Sequence, residues 1–385
     1  MSKHDFSRDE FRDRVARARR AVAAAGLDWL VVLHPVSIFW LTGGEAKSYQ
    51  SFQCLLLSAE DRPLVLLSRG SDIGEWQDDA WIDEARGWGG PEPADPIESF
   101  AALVRDHGLT AARVGMETCG YYLHPQHYTR MKDVLGTALV AEPANLINDL
   151  KARKSPAELA LTREAAARAD AALAACLAVA RPGITELAMA GEAYRALLAS
   201  GCGLPASTMN LVTGDRLCYA HGAPTQRAIQ AGDGGNIELG AAFRRYTATL
   251  GRDFSLGAPS PRFQHLHDVV REAGDAMIAA IRPGVPAIVP HDAAKRIIAE
   301  AGFDAGRLHT SGYGLAPGFP PSWGEPLNMF GGSTAIIEEG MVLTIEPPVF
   351  LHAERLGARL IDNVIVTATG AELLSTTTRD IIVVQ

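Results

Sequence analysis

The chain has 385 residues, of which 47% are hydrophobic and 21% charged, and this composition indicates a globular protein of two or three domains rather than a disordered chain. A formal net charge of -9 disfavours binding to nucleic acid or to an anionic membrane. No stretch approaches the ~20 apolar residues that a membrane span requires, and the charged N-terminal segment lacks the apolar region of a secretory signal. We therefore expect a cytoplasmic protein.

The N-terminal part of the chain alternates between helical and strand patterns. Apolar residues recur every three to four positions over residues 8–26, which predicts an amphipathic helix. Short apolar runs at 29–33, 54–57 and 64–67 predict strands. Because this alternation continues to about residue 150, we predict a first α/β domain over residues 1–150.

A helix start signal marks the next domain. Ser155, Pro156 and Glu158 form a capping box with proline at the first helical position. The pattern predicts a helix to about Ala180, ended by the following Pro-Gly pair, and a linker over residues 145–155. The second domain is predicted to span residues 156–385.

The second domain contains an internal repeat. The segment 181–184 (Arg-Pro-Gly-Ile) recurs as 282–285 (Arg-Pro-Gly-Val), and the later Gly201 recurs as Gly302, both at an offset of 101 residues. Two features at one offset predict a duplicated helix unit, although ordinary helix punctuation would give the same residues. Predicted strands at 237–239, 342–345 and 364–367 then place the helices over a curved, mostly antiparallel sheet.

The five cysteines are odd in number, scattered, and form no CxxC pair. This pattern argues against structural zinc and against a disulfide framework. We expect small buried hydrophobic side chains at Cys54, Cys119, Cys176, Cys202 and Cys218.

Four motifs in chain order resemble those of one family. They are Gly26 to Gly43, Lys154 to Leu159, Arg181 to Glu186, and Glu339 to Pro347. On these segments the chain is identified as a member of the creatinase and aminopeptidase P superfamily. The resemblance implies an α/β N-terminal domain and an α+β catalytic domain of the pita-bread fold, with pseudo-twofold symmetry. It also implies a homodimer in which an N-domain loop of one subunit lies near the other subunit's site.

The peptidases of this superfamily bind two metal ions through Asp, Asp, His, Glu and Glu. The corresponding positions in this chain are Glu238, Thr249, Ser311, Glu346 and Ile361. Two metals ~3.5–4 Å apart need bridging carboxylates, and isoleucine cannot coordinate a metal at all. Asp362 does not compensate for Ile361, because neighbouring residues of a strand point to opposite faces. We therefore expect neither a metal nor another cofactor.

The segment around His221 resembles the stretch around the catalytic histidine of creatinase, which hydrolyses a C–N bond without a metal. Histidine titrates near neutral pH and therefore takes a proton from water and returns it to a leaving nitrogen. The resemblance implies His221 as the general acid and base, with Glu238 and Glu346 orienting the substrate. A buried structural histidine on a loop is the alternative for His221.

Further residues are candidates for substrate binding. The proline-rich run 318–325 resembles the ectoine hydrolase branch, and Gly251 stands where creatinase has a second substrate-binding glutamate, which disfavours creatine. In an extended segment, alternate residues from 309 to 313 share one face. Each candidate has a structural alternative: core packing, a lid or dimer contact, an ion pair for Arg252 or Arg359, or an exposed loop aromatic for Tyr49. The predicted contacts are His309, Ser311, Tyr313, Trp323, Arg252, Thr249 and Tyr49.

The leading hypothesis is metal-independent hydrolysis of a non-peptide C–N bond, as in ring opening of a cyclic amidine or cleavage of a guanidino compound. Three alternatives remain open at this point, because a fold does not fix a function. They are a metal-dependent Xaa-Pro peptidase with unusual ligands, a lyase acting on a betaine or sulfonium compound, and a non-catalytic binding domain.

Overall fold

The computed structural model describes residues 3–92, 94–118 and 121–385. The chain forms two compact units, Met1–Lys151 and Ala152–Gln385. Among the described helices, none is both long and apolar enough to cross a membrane. Cys54, Cys176, Cys202 and Cys218 are free and buried, as predicted, while Cys119 lies outside the described residues.

The N-terminal unit is built around a mixed sheet. Its described strands are β1 (Trp29–Val32), β2 (Cys54–Ser58), β3 (Val65–Arg69), β4 (Glu84–Trp88), β5 (Val114–Met116) and β6 (Leu139–Ala141). They run in the order β4-β3-β2-β1-β5-β6, with β1–β2 and β2–β3 antiparallel and the other pairs parallel. The described helices are α1 (Arg8–Ala24), α2 (Pro35–Thr42), α3 (Ile73–Asp79), α4 (Pro96–Asp106), α5 (Pro125–Leu135) and α6 (Leu146–Ala152).

Local chemistry explains where these elements begin. The Ser7 side chain accepts a hydrogen bond from the backbone of Glu10 and caps α1. The helix buries Phe11, Ala18 and Val22 on one face, as the periodicity predicts. One difference concerns the predicted linker over 145–155, because residues 146–152 form α6. Apolar residues of α6, including Ile147, pack into the core of the N-terminal unit and stabilise this helix.

The C-terminal unit contains two helix pairs, α7 (Pro156–Ala178) with α8 (Glu186–Ala199), and α9 (Pro261–Ala280) with α10 (Ile288–Glu300). The predicted capping box at α7 is present. Its long sheet has the described order β16-β15-β12-β10-β9-β8-β7, while β11 pairs with β10 and β17 with β9. The strands are β7 (Asn210–Thr213), β8 (Gly234–Phe243), β9 (Tyr246–Leu256), β10 (Tyr313–Phe319), β11 (Ser322–Asn328), β12 (Val342–Ile345), β13 (Val349–Leu351), β14 (Leu356–Ala358), β15 (Asp362–Val366), β16 (Ala371–Leu373) and β17 (Ile382–Val384).

The predicted duplication is confirmed at the level of backbone hydrogen bonds. Gly183 and Gly284 both have positive φ, 90° and 85°. The amide of Gly183 donates to Ile229 O and that of Gly284 to Ile337 O, each at 2.8 Å. The two helices of each pair are therefore joined by the same kind of turn. Each pair packs on its own part of the sheet, α7–α8 against β8 and β9 and α9–α10 against β12 and β15.

Candidate active site

His221 lies on the long connection between β7 and β8, residues 214–233, which we term the His221 loop. The residue is exposed on the described chain, so the buried structural alternative does not fit. Its ring centroid lies 5.4 Å from that of His309. Partial desolvation, followed by the charges of Arg359 and His309, lowers the pKa of His221 from its ordinary value. The neutral imidazole, which is the form that accepts a proton, is therefore favoured.

A buried ion pair joins the sheet to the His221 loop. The guanidinium of Arg359 donates to Glu238 on β8 and to the backbone oxygen of Ala220, the residue before His221. The Asn210 amide donates a further bond of 2.7 Å to the same Glu238 oxygen. Burial lowers the pKa of Arg359 to about 10, which leaves it charged at neutral pH. The Glu238 carboxylate is thus already neutralised by the protein.

Glu346 follows β12 and is buried. Burial raises its pKa to about 8, and the Thr344 hydroxyl, 3.4 Å from Oε1, opposes this rise only in part. The carboxyl is therefore largely protonated at neutral pH. Desolvation is the cause, and not repulsion by Glu238, because Arg359 compensates the charge of Glu238.

Ser311 and His309 lie in an irregular segment before β10, and this corrects the prediction that they share one strand face with Tyr313. Ser311 is fully buried, and its hydroxyl lies 2.9 Å from Nδ1 of His291 on α10. The Glu346 amide donates to the Ser311 backbone oxygen at 2.9 Å. Ser311 therefore links α10 to the Glu346 segment, while His309 lies beside His221.

Tyr313 and Trp323 face each other across the β10–β11 hairpin. The Trp323 indole nitrogen donates to the Tyr313 hydroxyl at 3.0 Å. Trp323 is buried, and its ring covers Gly240, where an added Cβ would lie 2.7 Å from a ring carbon. Burial, assisted by Glu346, raises the pKa of Tyr313 above its ordinary value and keeps the phenol protonated. The two side chains are therefore partners of each other within the hairpin, and their predicted contacts with substrate remain predictions.

Arg252 does not fit its prediction as a substrate contact. It is fully buried and forms an ion pair with Asp362 at 2.7 Å. Its remaining N–H groups donate to the protein, to backbone oxygens of Gly251, Ile361, Thr377 and Thr378 and to the Ser375 hydroxyl. A guanidinium has five N–H donors, and here all of them have protein partners. The structural ion pair is therefore the correct alternative for Arg252.

Thr249 and Tyr49 have protein partners of their own. The Thr249 hydroxyl accepts a bond of 2.9 Å from the Asn363 amide, so it already has a partner within the sheet. Tyr49 belongs to the N-terminal unit, where its ring packs edge-on against Tyr122. It is buried there, so the exposed-aromatic alternative is wrong. Its predicted contact with the site of a partner subunit remains a prediction.

Comparison with known proteins now identifies the family. Residues 160–368 match the model of metallopeptidase family M24, and residues 14–151 match the creatinase/prolidase N-terminal domain. The chain belongs to metallopeptidase family M24. Ectoine hydrolase of Halomonas elongata is 27% identical over 98% of both chains. A hydrolase/peptidase of Sinorhizobium fredii, described as uncharacterized, is also 27% identical over 98% of both chains.

Solved structures of M24 peptidases share the fold. Dipeptidase PepE of Mycobacterium ulcerans superposes with a TM-score of 0.86 at 25% identity, over 98% of this chain and 99% of that one. A prolidase of Thermococcus sibiricus gives a TM-score of 0.87 at 20% identity, over 97% and 99% of the two chains. The prediction of an α/β N-terminal domain followed by a pita-bread domain is thereby confirmed.

The residues at the positions where the resemblance implies metal ligands do not fit a two-metal centre. Glu238 is engaged by Arg359, Thr249 by Asn363, and Ser311 by His291. Ile361 packs over Gly251, where an added Cβ would lie 2.7 Å from Ile361 Cγ1. Asp362 is held by Arg252 and Arg379. Across the described residues, no three His, Cys, Asp or Glu side chains are grouped to hold a metal ion.

Sequence reasoning missed the partners that complete this site. It did not single out His291, Asn210 or Asn363, and it left Arg359 undecided between an ion pair and a substrate clamp. Arg359 and Glu238 are 121 residues apart, so no local pattern connects them. The register offers a signal in retrospect, because Glu238 lies opposite Gly251, which in turn bridges to Ile361, two residues from Arg359.

Proposed function

We propose that this M24 protein is a metal-independent hydrolase that cleaves a C–N bond other than a peptide bond in a small molecule. The observation that carries the proposal is the Arg359–Glu238 ion pair. In this pair the Arg359 guanidinium, rather than a metal ion, neutralises the carboxylate of Glu238, a position where the resemblance to the superfamily implies a metal ligand. Beside it, His221 is exposed and has its pKa lowered, which suits a general base.

In the proposed reaction, His221 takes a proton from a water molecule while the water oxygen attacks the amidine or guanidino carbon. The protonated imidazole then gives its proton to the leaving nitrogen as the C–N bond breaks, so the histidine is regenerated. Proton transfer of this kind contributes roughly 10²–10⁴-fold. Further acceleration comes from orientation and from charges positioned in advance.

The two glutamates take different parts in substrate binding. Glu238, already neutralised, holds Arg359 in place, so that the guanidinium is available to an anionic group of the substrate. Glu346, whose pKa is about 8 when it is buried without a cation, ionises when a cationic amidine or guanidinium binds beside it. The relationship to ectoine hydrolase favours a cyclic amidine such as ectoine as the first compound to test.

The test is turnover of a panel of cyclic amidines and guanidino compounds in excess EDTA, with product analysis by mass spectrometry. We expect activity that is insensitive to EDTA and a kcat that falls by about 10²–10⁴-fold in His221→Ala. His265→Ala is the matched control, because His265 is also exposed and lies on α9. Activity that disappears with EDTA and returns with Mn²⁺ or Co²⁺ would overturn the proposal, and an elimination product would replace it with a lyase.

A second candidate is a metal-dependent Xaa-Pro peptidase, which is favoured by the relationship to dipeptidase PepE of Mycobacterium ulcerans, 25% identical in sequence. Its test is cleavage of Xaa-Pro dipeptides after incubation with Mn²⁺, together with elemental analysis. The occupied ligand positions weigh against it. A stoichiometric bound metal with peptide cleavage would establish it over the first candidate.

We also propose a homodimer, in which Tyr49 of the partner subunit contributes to each site. Light scattering gives the oligomeric state, and Tyr49→Ala should raise KM more than it lowers kcat. A monomer that retains full activity would contradict this part of the proposal.

A further inference from the structure

Glu186 is a buried carboxylate at the start of α8, and it ends the motif Arg181 to Glu186. Its side chain is fully buried. It accepts hydrogen bonds from the Thr213 hydroxyl at 2.8 Å and from both the amide and the hydroxyl of Thr225, at 3.0 and 2.8 Å. Arg216 completes the set with an ion pair to Oε2. This one carboxylate therefore has four donors from the protein.

The partners of Glu186 lie on both sides of His221 in the sequence. Thr213 ends β7 immediately before the His221 loop, Arg216 lies in the loop before His221, and Thr225 lies after it. Arg216 also donates a bond of 2.7 Å to the backbone oxygen of Ala223. Glu186 consequently fixes both arms of the loop segment that carries His221.

The second helix pair provides an internal control for this arrangement. At the repeat offset of 101 residues, the position of Glu186 is occupied by Ala287. Ala287 is fully buried and starts from an equivalent turn, with its amide donating to Ala335 O at 2.8 Å just as that of Glu186 donates to Arg227 O at 3.1 Å. The helix junction therefore forms without a carboxylate, so the junction does not explain Glu186.

A buried carboxylate is costly unless it is paired and fully hydrogen-bonded. We propose that Glu186 is a positioning residue, which holds the His221 loop so that the imidazole stays beside Arg359 and His309. This inference rests on the proposed catalytic role of His221. Arg359 fixes the same loop from the sheet side through Ala220 O, so the imidazole lies between two anchors.

The test is Glu186→Gln, read out by NMR of the His221 ring Cε1–H during a pH titration, with His221→Asn to assign the signal. A glutamine retains one acceptor oxygen but turns an NH₂ group toward groups that are themselves donors. We expect the loop to loosen, and the pKa of His221 to rise toward 6.5 as the ring becomes better hydrated and moves away from Arg359 and His309. With any turned-over substrate, kcat should fall by about tenfold while KM changes less.

Glu158→Gln is the matched control, since Glu158 is likewise buried in the first turn of a helix in this unit. It should lower the melting temperature without moving the His221 titration. Arg216→Gln should reproduce the His221 shift even if Glu186→Gln fails to fold, and Glu186→Asp should restore part of the native titration. An unchanged His221 titration in folded Glu186→Gln or Arg216→Gln would overturn the inference.

These readouts separate the inference from the proposed function. Should His221→Ala retain full activity, the catalytic role fails, while the NMR titration still reports whether Glu186 positions the loop. A His221 that is essential for turnover but unaffected by Glu186→Gln would leave the proposed function standing and remove the positioning role.

Discussion

The two helix pairs of the C-terminal unit share a backbone but differ in their polar side chains. In both, the two helices are joined by a turn that contains a glycine with positive φ, and the amide of this glycine donates to the backbone oxygen of an isoleucine. In the first pair, Glu186 anchors the His221 loop, and Ala190 lies four residues after it. In the second pair, the corresponding positions hold Ala287 and His291, and His291 bonds to Ser311.

This difference shows which features the duplicated fold requires and which side chains it does not require. Backbone hydrogen bonds and apolar packing are common to both copies, so they set the architecture. A polar side chain that occurs in one copy only is not required by that architecture. Such residues are accounted for by the part of the site that each copy supports: the His221 loop in the first copy, and the Ser311 and Glu346 segment in the second.

The largest expected effect on stability is that of removing the Arg359–Glu238 ion pair. Arg359→Ala leaves the buried Glu238 carboxylate without its countercharge, and we expect a loss of about 3–5 kcal/mol in the free energy of unfolding. Urea denaturation measures this. Arg262→Ala is the control, because Arg262 forms an exposed pair with Glu354 and should cost much less. Equal losses in the two variants would show that the buried pair is not special.

The variant His291→Ala removes the hydrogen-bond partner of the Ser311 hydroxyl. We expect a loss of about 2 kcal/mol, because a buried polar group is left unsatisfied. Alanine itself suits this helix position, since the first copy has Ala190 there. A double-mutant cycle with Ser311→Ala should give a coupling energy of about 0.5–3 kcal/mol. Additive losses would mean that the two side chains act independently.

The buried Glu346 carboxyl makes stability depend on pH. Its pKa is raised from 4.5 to about 8 in the folded protein, so its stabilising contribution is complete below pH 4.5 and is lost as the pH rises toward 8. The variant Glu346→Gln has no ionisable group at this position, so its stability does not fall in this way as the pH rises. We expect its stability relative to the wild type to increase by about 1.4 kcal/mol for each pH unit crossed in that window. A pH-independent difference in urea denaturation would place the pKa of Glu346 near its ordinary value.

The smallest effect tests the shared backbone directly. Gly183→Ala and Gly284→Ala each place a Cβ at a residue with positive φ, where no other group lies within 4 Å of the added atom. We expect each to cost about 1 kcal/mol, from backbone strain alone. Thermal unfolding compares the two. Costs that differ by more than about 0.5 kcal/mol would contradict the equivalence of the two turns.

Several elements were predictable because their causes are local. The capping box fixed the start of α7 at Pro156, and the strand predicted at 342–345 is β12. Capping, turns and the alternation of apolar residues act over a few positions, so a sequence displays them directly. By contrast, α6 falls in the predicted linker, because its formation depends on packing into a core made by distant residues.

The sequence by itself determined the family fold and the duplicated helix pairs, and it made His221 a candidate for the site. Only the tertiary structure decided the partners of the candidate site residues: Arg359 pairs with Glu238, His291 bonds to Ser311, and Ile361 packs over Gly251. It also removed Arg252 from the substrate contacts. The physical reason is that the sequence lists the side chains but not their contacts. The partner of each buried charge depends on strand register and on packing between residues far apart in sequence.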